Sequence, residues 1–260
     1  MINFVGAGSG AADLITVRGA KLLEQADVVI YAGSLVNPQL LDYCHEGCDI
    51  HNSASMTLEE VIAVMKDAEA QGKNTVRLHT GDPSLYGAIR EQMDLLDEAG
   101  LAYDVCPGVS SFCGAAAALK AEYTLPDVSQ SVIITRMDGR TPVPDGEKLR
   151  LMASHGCTMV LFLSTGLLEQ AQEELMAGGY APDTPAAIVY KATWPDQQVF
   201  HCTVSTLAQT ARENNITKTA LMCIGGFLGD NYDRSRLYDP TFTHMFREAS
   251  EPSDVDGAGE

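Results

Sequence analysis

The sequence predicts an α/β protein of two α/β domains with mainly parallel sheets. Three observations lead there. Short apolar runs rich in Val and Ile recur along the 260 residues. Amphipathic stretches of helical length separate them, the alternation that βα units and parallel strands require. The rhythm breaks near the middle, at the turn-rich Ala121-Glu-Tyr-Thr-Leu-Pro-Asp-Val-Ser-Gln130. The expected organisation is therefore an N-terminal α/β domain over 1–120, a linker over 121–130, a C-terminal α/β domain over 131–247 and an acidic, disordered tail over 248–260.

Taken in order, the first strand is expected at 2–5 and ends on Gly6-Ala-Gly-Ser-Gly10, before a helix over 16–25. Val28-Val-Ile-Tyr31 is the next strand, and an amphipathic helix over 57–71 follows. Asn74-Thr-Val-Arg-Leu-His79 climbs to Gly81-Asp-Pro83, giving a strand over 75–79 and a helix over 85–99. A strand over 103–106 meets Pro107-Gly-Val-Ser-Ser111, which opens a helix over 110–119. Past the linker, strands are expected at 132–135, 159–163, 186–190, 199–202 and 220–224, with helices at 146–154, 167–177 and 205–214.

Composition excludes several classes of function. No run of 18 or more apolar residues occurs, so no membrane span is expected, and the N-terminus lacks the basic region of a signal peptide. Seven cysteines without regular spacing suit a reducing compartment, so a cytoplasmic protein is expected. The net charge is −18, and five acids against Arg247 place −4 of it in residues 246–260. A chain of that sign repels nucleic-acid phosphates, so no nucleic-acid partner is expected.

Four motifs are candidate sites. Gly6-Ala-Gly-Ser-Gly10 has the position of a dinucleotide fingerprint but the wrong spacing for its third glycine, and no acid ends the second strand. A glycine loop lining a cleft, or a plain tight turn, remains. Cys44, His45, Cys48 and His51 match no common zinc spacing, so no metal is expected. Ser110-Ser111 lacks the Gly-x-Ser-x-Gly of a nucleophile elbow. Its hydroxyls and free N–H groups instead face the crevice at the carboxyl end of a strand, where open parallel sheets bind ligands. Thr80-Gly81-Asp82 opens onto the same crevice. There Gly81 permits close backbone approach, and Asp82 either accepts hydrogen bonds from a ligand's amine or ribose or caps the next helix.

With Gly6-Ala-Gly-Ser-Gly10, Thr80-Gly-Asp-Pro83 and Pro107-Gly-Val-Ser-Ser111 in this order, the chain resembles the tetrapyrrole methylases. Tyr31-Ala-Gly-Ser-Leu-Val36, the longer run 77–88, Thr124-Leu-Pro-Asp-Val-Ser-Gln130 and Gly139-Arg-Thr-Pro-Val-Pro144 are similar to the branch acting at C-11 of precorrin-4. The match covers about residues 1–247; Ser9 departs from it, standing where many relatives carry proline. The resemblance implies a methyltransferase using S-adenosylmethionine and releasing S-adenosylhomocysteine, with the cofactor in a cleft between the domains. It implies that Thr80, Gly81, Asp82, Leu85, Tyr86, Ser110 and Ser111 hold the cofactor, and that Phe162, Leu163 and the segment from Ala187 to Ala192 enclose its adenine. Gly6, Gly8, Ser9 and Gly10 would line the tetrapyrrole trough, with Arg136, Arg140 and Lys191 as candidate cations for substrate carboxylates. A homodimer is implied as well. Relatives acting on uroporphyrinogen, another precorrin, a diphthamide precursor or ribosomal RNA stay open as alternatives, the RNA reading disfavoured by charge.

Overall fold

The structure is a computed structural model and describes residues 1–249; most of the acidic tail, residues 250–260, lies outside the described residues. Its first half is a five-stranded parallel sheet in the order β3-β2-β4-β1-β5. The strands are β1 (Ile2–Gly6), β2 (Val28–Tyr31), β3 (Asp49–Asn52), β4 (Thr75–His79) and β5 (Tyr103–Cys106). Both faces are covered. Helix α1 (Val17–Glu24) packs Leu23 against Val5, Val29 and Leu78 on one side. Helices α2 (Leu58–Ala70) and α3 (Arg90–Glu98) bury Val61, Met65 and Leu96 against Phe4 and Ile30 on the other.

Local chemistry explains most of the boundaries. Helix α2 starts at a capping box: Thr57 Oγ1 accepts from the Glu60 N–H at 3.3 Å, and Glu60 Oε2 accepts from the Thr57 N–H at 2.7 Å. Helix α3 begins five residues later than the sequence predicts. Tyr86 and Ala88 take left-handed backbone angles, φ 57° and 48°, which an α-helix cannot contain. Strand β3, Asp-Ile-His-Asn, is absent from the sequence expectation because it is a short edge strand with polar side chains in place of an apolar run.

The second half holds β6 (Val132–Arg136), β7 (Thr158–Phe162), β8 (Pro185–Tyr190), β9 (Gln198–Thr203) and β10 (Ala220–Ile224), in the order β6-β7-β10-β8-β9. Only β6 and β7 pair in parallel here; β10 runs antiparallel to β7 and β8, and β8 to β9. Five of the eight pairings among the described residues are parallel, so the molecule as a whole is mainly parallel while this sheet is mixed. The connection from Tyr190 to Gln198 is too short for a helical crossover, which makes β8 and β9 a hairpin.

Helices α5 (Leu149–Ala153), α6 (Leu168–Ala177) and α7 (Leu207–Glu213) cover one face of this sheet through Leu149, Leu175 and Leu207. Helix α4 (Ser111–Leu119), which precedes the expected linker, covers the other, packing Ala115 with Val160, Val189 and Cys223. The linker is pinned beneath it: Thr158 Oγ1 donates to the Tyr123 carbonyl at 2.8 Å, and the Tyr123 hydroxyl to the Phe112 carbonyl at 2.7 Å.

Candidate functional site

Parallel register brings three loops to one edge. Ile2 of β1 pairs with Thr75 of β4 and Tyr103 of β5, so these strands end level and release residues 6–10, 80–86 and 107–111 side by side. Glycine lets them interlock. A Cβ on Gly6 would lie 2.5 Å from Gly108 Cα and 2.6 Å from the Gly81 carbonyl, closer than any real side chain sits. Gly8 and Gly81 exchange backbone hydrogen bonds of 3.2 and 2.9 Å.

Asp82 ties two of these loops together. One carboxylate oxygen accepts from the Gly108 N–H at 2.8 Å; the other accepts from the Ser84 N–H at 2.9 Å and the Ser84 hydroxyl at 2.5 Å. Burial pushes its carboxyl up, but these hydrogen bonds outweigh it and hold Asp82 below the ordinary aspartate range. It caps no helix, since α3 starts only at Arg90.

These loops form one wall of a cleft of about 1010 Å³, whose other wall is the ends of β7, β8 and β10. Ten of the eleven expected cofactor residues line it: Thr80, Gly81, Asp82, Leu85, Tyr86, Ser110, Ser111, Phe162, Leu163 and Ala192. Ala187 does not. It is fully buried in β8, two residues (about 6.6 Å) behind Val189, which does reach the cleft. Tyr86 crosses from the N-terminal loop to Phe162, with ring centroids 5.5 Å apart, and burial raises its phenol above the ordinary value.

The expected substrate residues are more dispersed. Ser9 lines the cleft and its hydroxyl shares a 3.0 Å hydrogen bond with Thr193, while Gly6, Gly8 and Gly10 are buried behind it. Lys191 lines the cleft but is paired with Asp196 at 2.6 Å and stacked over Tyr190 and Trp194. Arg136 and Arg140 are outside the lining. The Arg136 guanidinium donates to the carbonyls of Met137, Thr141 and Pro142, so it is spent on its own loop. Arg140 is exposed. No group of three or more potential metal ligands occurs among the described residues.

Several lining residues fall outside the sequence expectation. Thr217, Lys218 and Thr219 form a rim before β10, and Trp194 stands beside Lys191. Arg77, His79 and Gln92 reach the cleft from β4 and α3 although they are 7%, 3% and 5% exposed. Burial lowers the Arg77 guanidinium to about 10; burial, and then Arg77, lowers His79 to about 3. A cation and an imidazole within an otherwise apolar strand were the available signal.

Two α/β domains meeting at a cleft of this size, walled by glycine loops, hydroxyls and aromatics, define a small-molecule binding protein. The chain matches the model of the Tetrapyrrole (Corrin/Porphyrin) Methylases over residues 1–208. It is 50% identical over 249 residues to the Cobalt-precorrin-4 C(11)-methyltransferase of Methanocaldococcus jannaschii, covering 95% of this chain and 96% of that one. A Precorrin-4 C(11)-methyltransferase from Sinorhizobium sp is 44% identical, with 96% and 99% covered. The X-ray structure of a cobalt precorrin-4 methyltransferase of cobalamin biosynthesis superposes with a TM-score of 0.86 at 48% identity, covering 88% of this chain and 96% of that one. The chain belongs to the tetrapyrrole methylase family.

Proposed function

We propose that this chain transfers a methyl group from S-adenosylmethionine to C-11 of precorrin-4, or of its cobalt complex, in the building of the corrin ring. The near full-length relationship to enzymes named for that reaction carries the reading. The cleft chemistry supports it. Apolar Leu85, Phe162 and Leu163 beside the hydroxyls of Thr80, Ser110 and Ser111 suit a nucleoside joined to an amino acid. Bound there, S-adenosylmethionine supplies an electrophilic sulfonium methyl group and leaves as S-adenosylhomocysteine.

The chain's part is then alignment. The macrocycle is electron-rich at the reacting carbon, so little acid–base work is needed before transfer. Holding two reactants in line is worth about 7–11 kcal/mol. The interlocked loops at Gly6, Gly81 and Gly108 and the Tyr86–Phe162 contact fix the two walls that do this. Mass spectrometry of reactions with a panel of precorrins, with and without cobalt, tests the assignment. A single added methyl on precorrin-4 or cobalt-precorrin-4 is expected; methylation of uroporphyrinogen alone would overturn it.

The proposal includes a cytoplasmic homodimer. The cysteine content supports the compartment, and no described helix is long and apolar enough to cross a membrane. The segment after β10 leaves Leu237, Phe242, Met245 and Phe246 exposed, Met245 and Phe246 at 88% and 89%, and a second copy would cover them. Light scattering on the purified chain decides between one copy and two.

A further inference from the structure

We propose that Arg77, His79 and Gln92 form a carboxylate subsite of the cleft that anchors one acid side chain of the macrocycle. The inference rests on the function proposed above and assigns that site a specific point of contact. Strand β4 sends Val76 and Leu78 into the core beside α1, so Arg77 and His79, two residues apart, share the opposite face toward α2 and α3. Gln92 is oriented from α3 because its amide donates to the Ala88 carbonyl at 2.9 Å. Its oxygen is thereby turned to accept from Arg77 Nε at 3.1 Å, and Arg77 Nη1 donates to the Ile30 carbonyl at 3.1 Å.

Both partners of this guanidinium are neutral, and Arg77 takes part in no ion pair among the described residues. A buried cation without a counterion is costly. His79 Nε2, buried beside it with the ring stacked on Phe4, has no hydrogen-bond partner. An unbalanced planar cation and an unpartnered ring nitrogen on one cleft wall call for an anion with two acceptor oxygens. A carboxylate accepts from the free edge of Arg77 and from His79 Nε2–H. The other cations on the cleft are less suited: Lys191 is paired with Asp196, and Lys218 stands exposed at the rim beside solvent. Glu91 lines the same wall but is exposed, where water screens it.

The test compares full-length wild type, Arg77→Gln, Arg77→Lys and His79→Phe. It measures the KM and kcat for methyl transfer to cobalt-precorrin-4, and the affinity for S-adenosylhomocysteine by calorimetry. His79→Phe keeps the stack on Phe4 and every hydrogen bond of Arg77, so it decides if the arginine variants fail to fold. Arg77→Gln should raise the macrocycle KM about tenfold to hundredfold, and His79→Phe roughly threefold to tenfold, with cofactor affinity within about twofold of wild type. Arg77→Lys should recover part of the loss, since charge returns without the fork. Unchanged KM in folded variants would overturn the subsite and leave these residues a purely structural role. Loss of S-adenosylhomocysteine affinity in place of KM would also overturn it, assigning the nest to the cofactor's carboxylate. A wild type inactive on every precorrin would overturn the proposed function and the subsite together; an active wild type beside unaltered variants removes the subsite alone.

Discussion

Asp82 accepts three hydrogen bonds from two loops, so its removal acts on both the ligand wall and the fold. Asp82→Ala should weaken S-adenosylhomocysteine binding by about 1.5–3 kcal/mol, as loss of charge-assisted hydrogen bonds does, and lower the melting temperature. Calorimetry and a thermal scan check the pair; a lower melting point with unchanged affinity would confine Asp82 to scaffolding. His79 carries a pH prediction. Its folded value near 3 is below the ordinary 6.5, so the unfolded chain binds its proton first as pH falls. The stabilisation from keeping His79 neutral is complete above about 6.5 and is lost progressively toward 3. His79→Phe should flatten the fall in unfolding free energy between pH 6.5 and 5 by at most about 1.4 kcal/mol per unit, measured by urea titration. Five of the nine non-glycine left-handed residues among those described, Tyr86, Ala88, Leu163, Lys191 and Thr219, line the cleft. Strain held at a ligand wall is a mark of pre-organisation.

At the scale of elements, the three level strand ends depend on glycines that no larger residue can replace. Gly108→Ala would set a Cβ 2.7 Å from Gly6 Cα, forcing β1 and β5 loops apart, and should cost about 1–3 kcal/mol. Gly146→Ala, with nothing within 4 Å of the new methyl, should be near neutral, and chemical denaturation of both measures the contrast. Strands with continuous Val and Ile, such as Val28–Tyr31, were legible in the sequence because their burial shows in composition. Strand β3 was not, since an edge strand with exposed Asp49 and Asn52 reads as loop. Nor was the late start of α3: Leu85 and Tyr86 favour a helix locally, and tertiary contact with Phe162 turns them aside. The mixed second sheet escaped for a related reason, because direction is set by connection and not by apolar content. At the cleft, motif loops at strand ends were readable. Arg77 and His79 show in the sequence only as polar residues within a strand; three dimensions add that the guanidinium takes part in no ion pair among the described residues and that His79 Nε2 has no hydrogen-bond partner.

For the molecule as a whole, a net charge of −18 opposes a polycarboxylate substrate at long range, while attraction begins only within a Debye length of about 8 Å at physiological salt. The association rate for such a macrocycle should therefore rise with ionic strength, the reverse of a steered encounter; stopped-flow measurements from low to physiological salt would show it. The placement of β1 carries a different consequence. It is made before both of its neighbours yet sits inside the sheet between β4 and β5, with the Met1 ammonium held 2.5 Å from Glu69. During synthesis Ile2 to Gly6 has no partner until residues 75–106 have been added. At ordinary translation rates that is a wait of about 5–20 s, with a strand carrying Ile2, Phe4 and Val5 exposed on the nascent chain. Slow codons before residue 106 would lengthen that exposure, which makes the opening segment the place where a ribosome-bound chaperone should engage this protein.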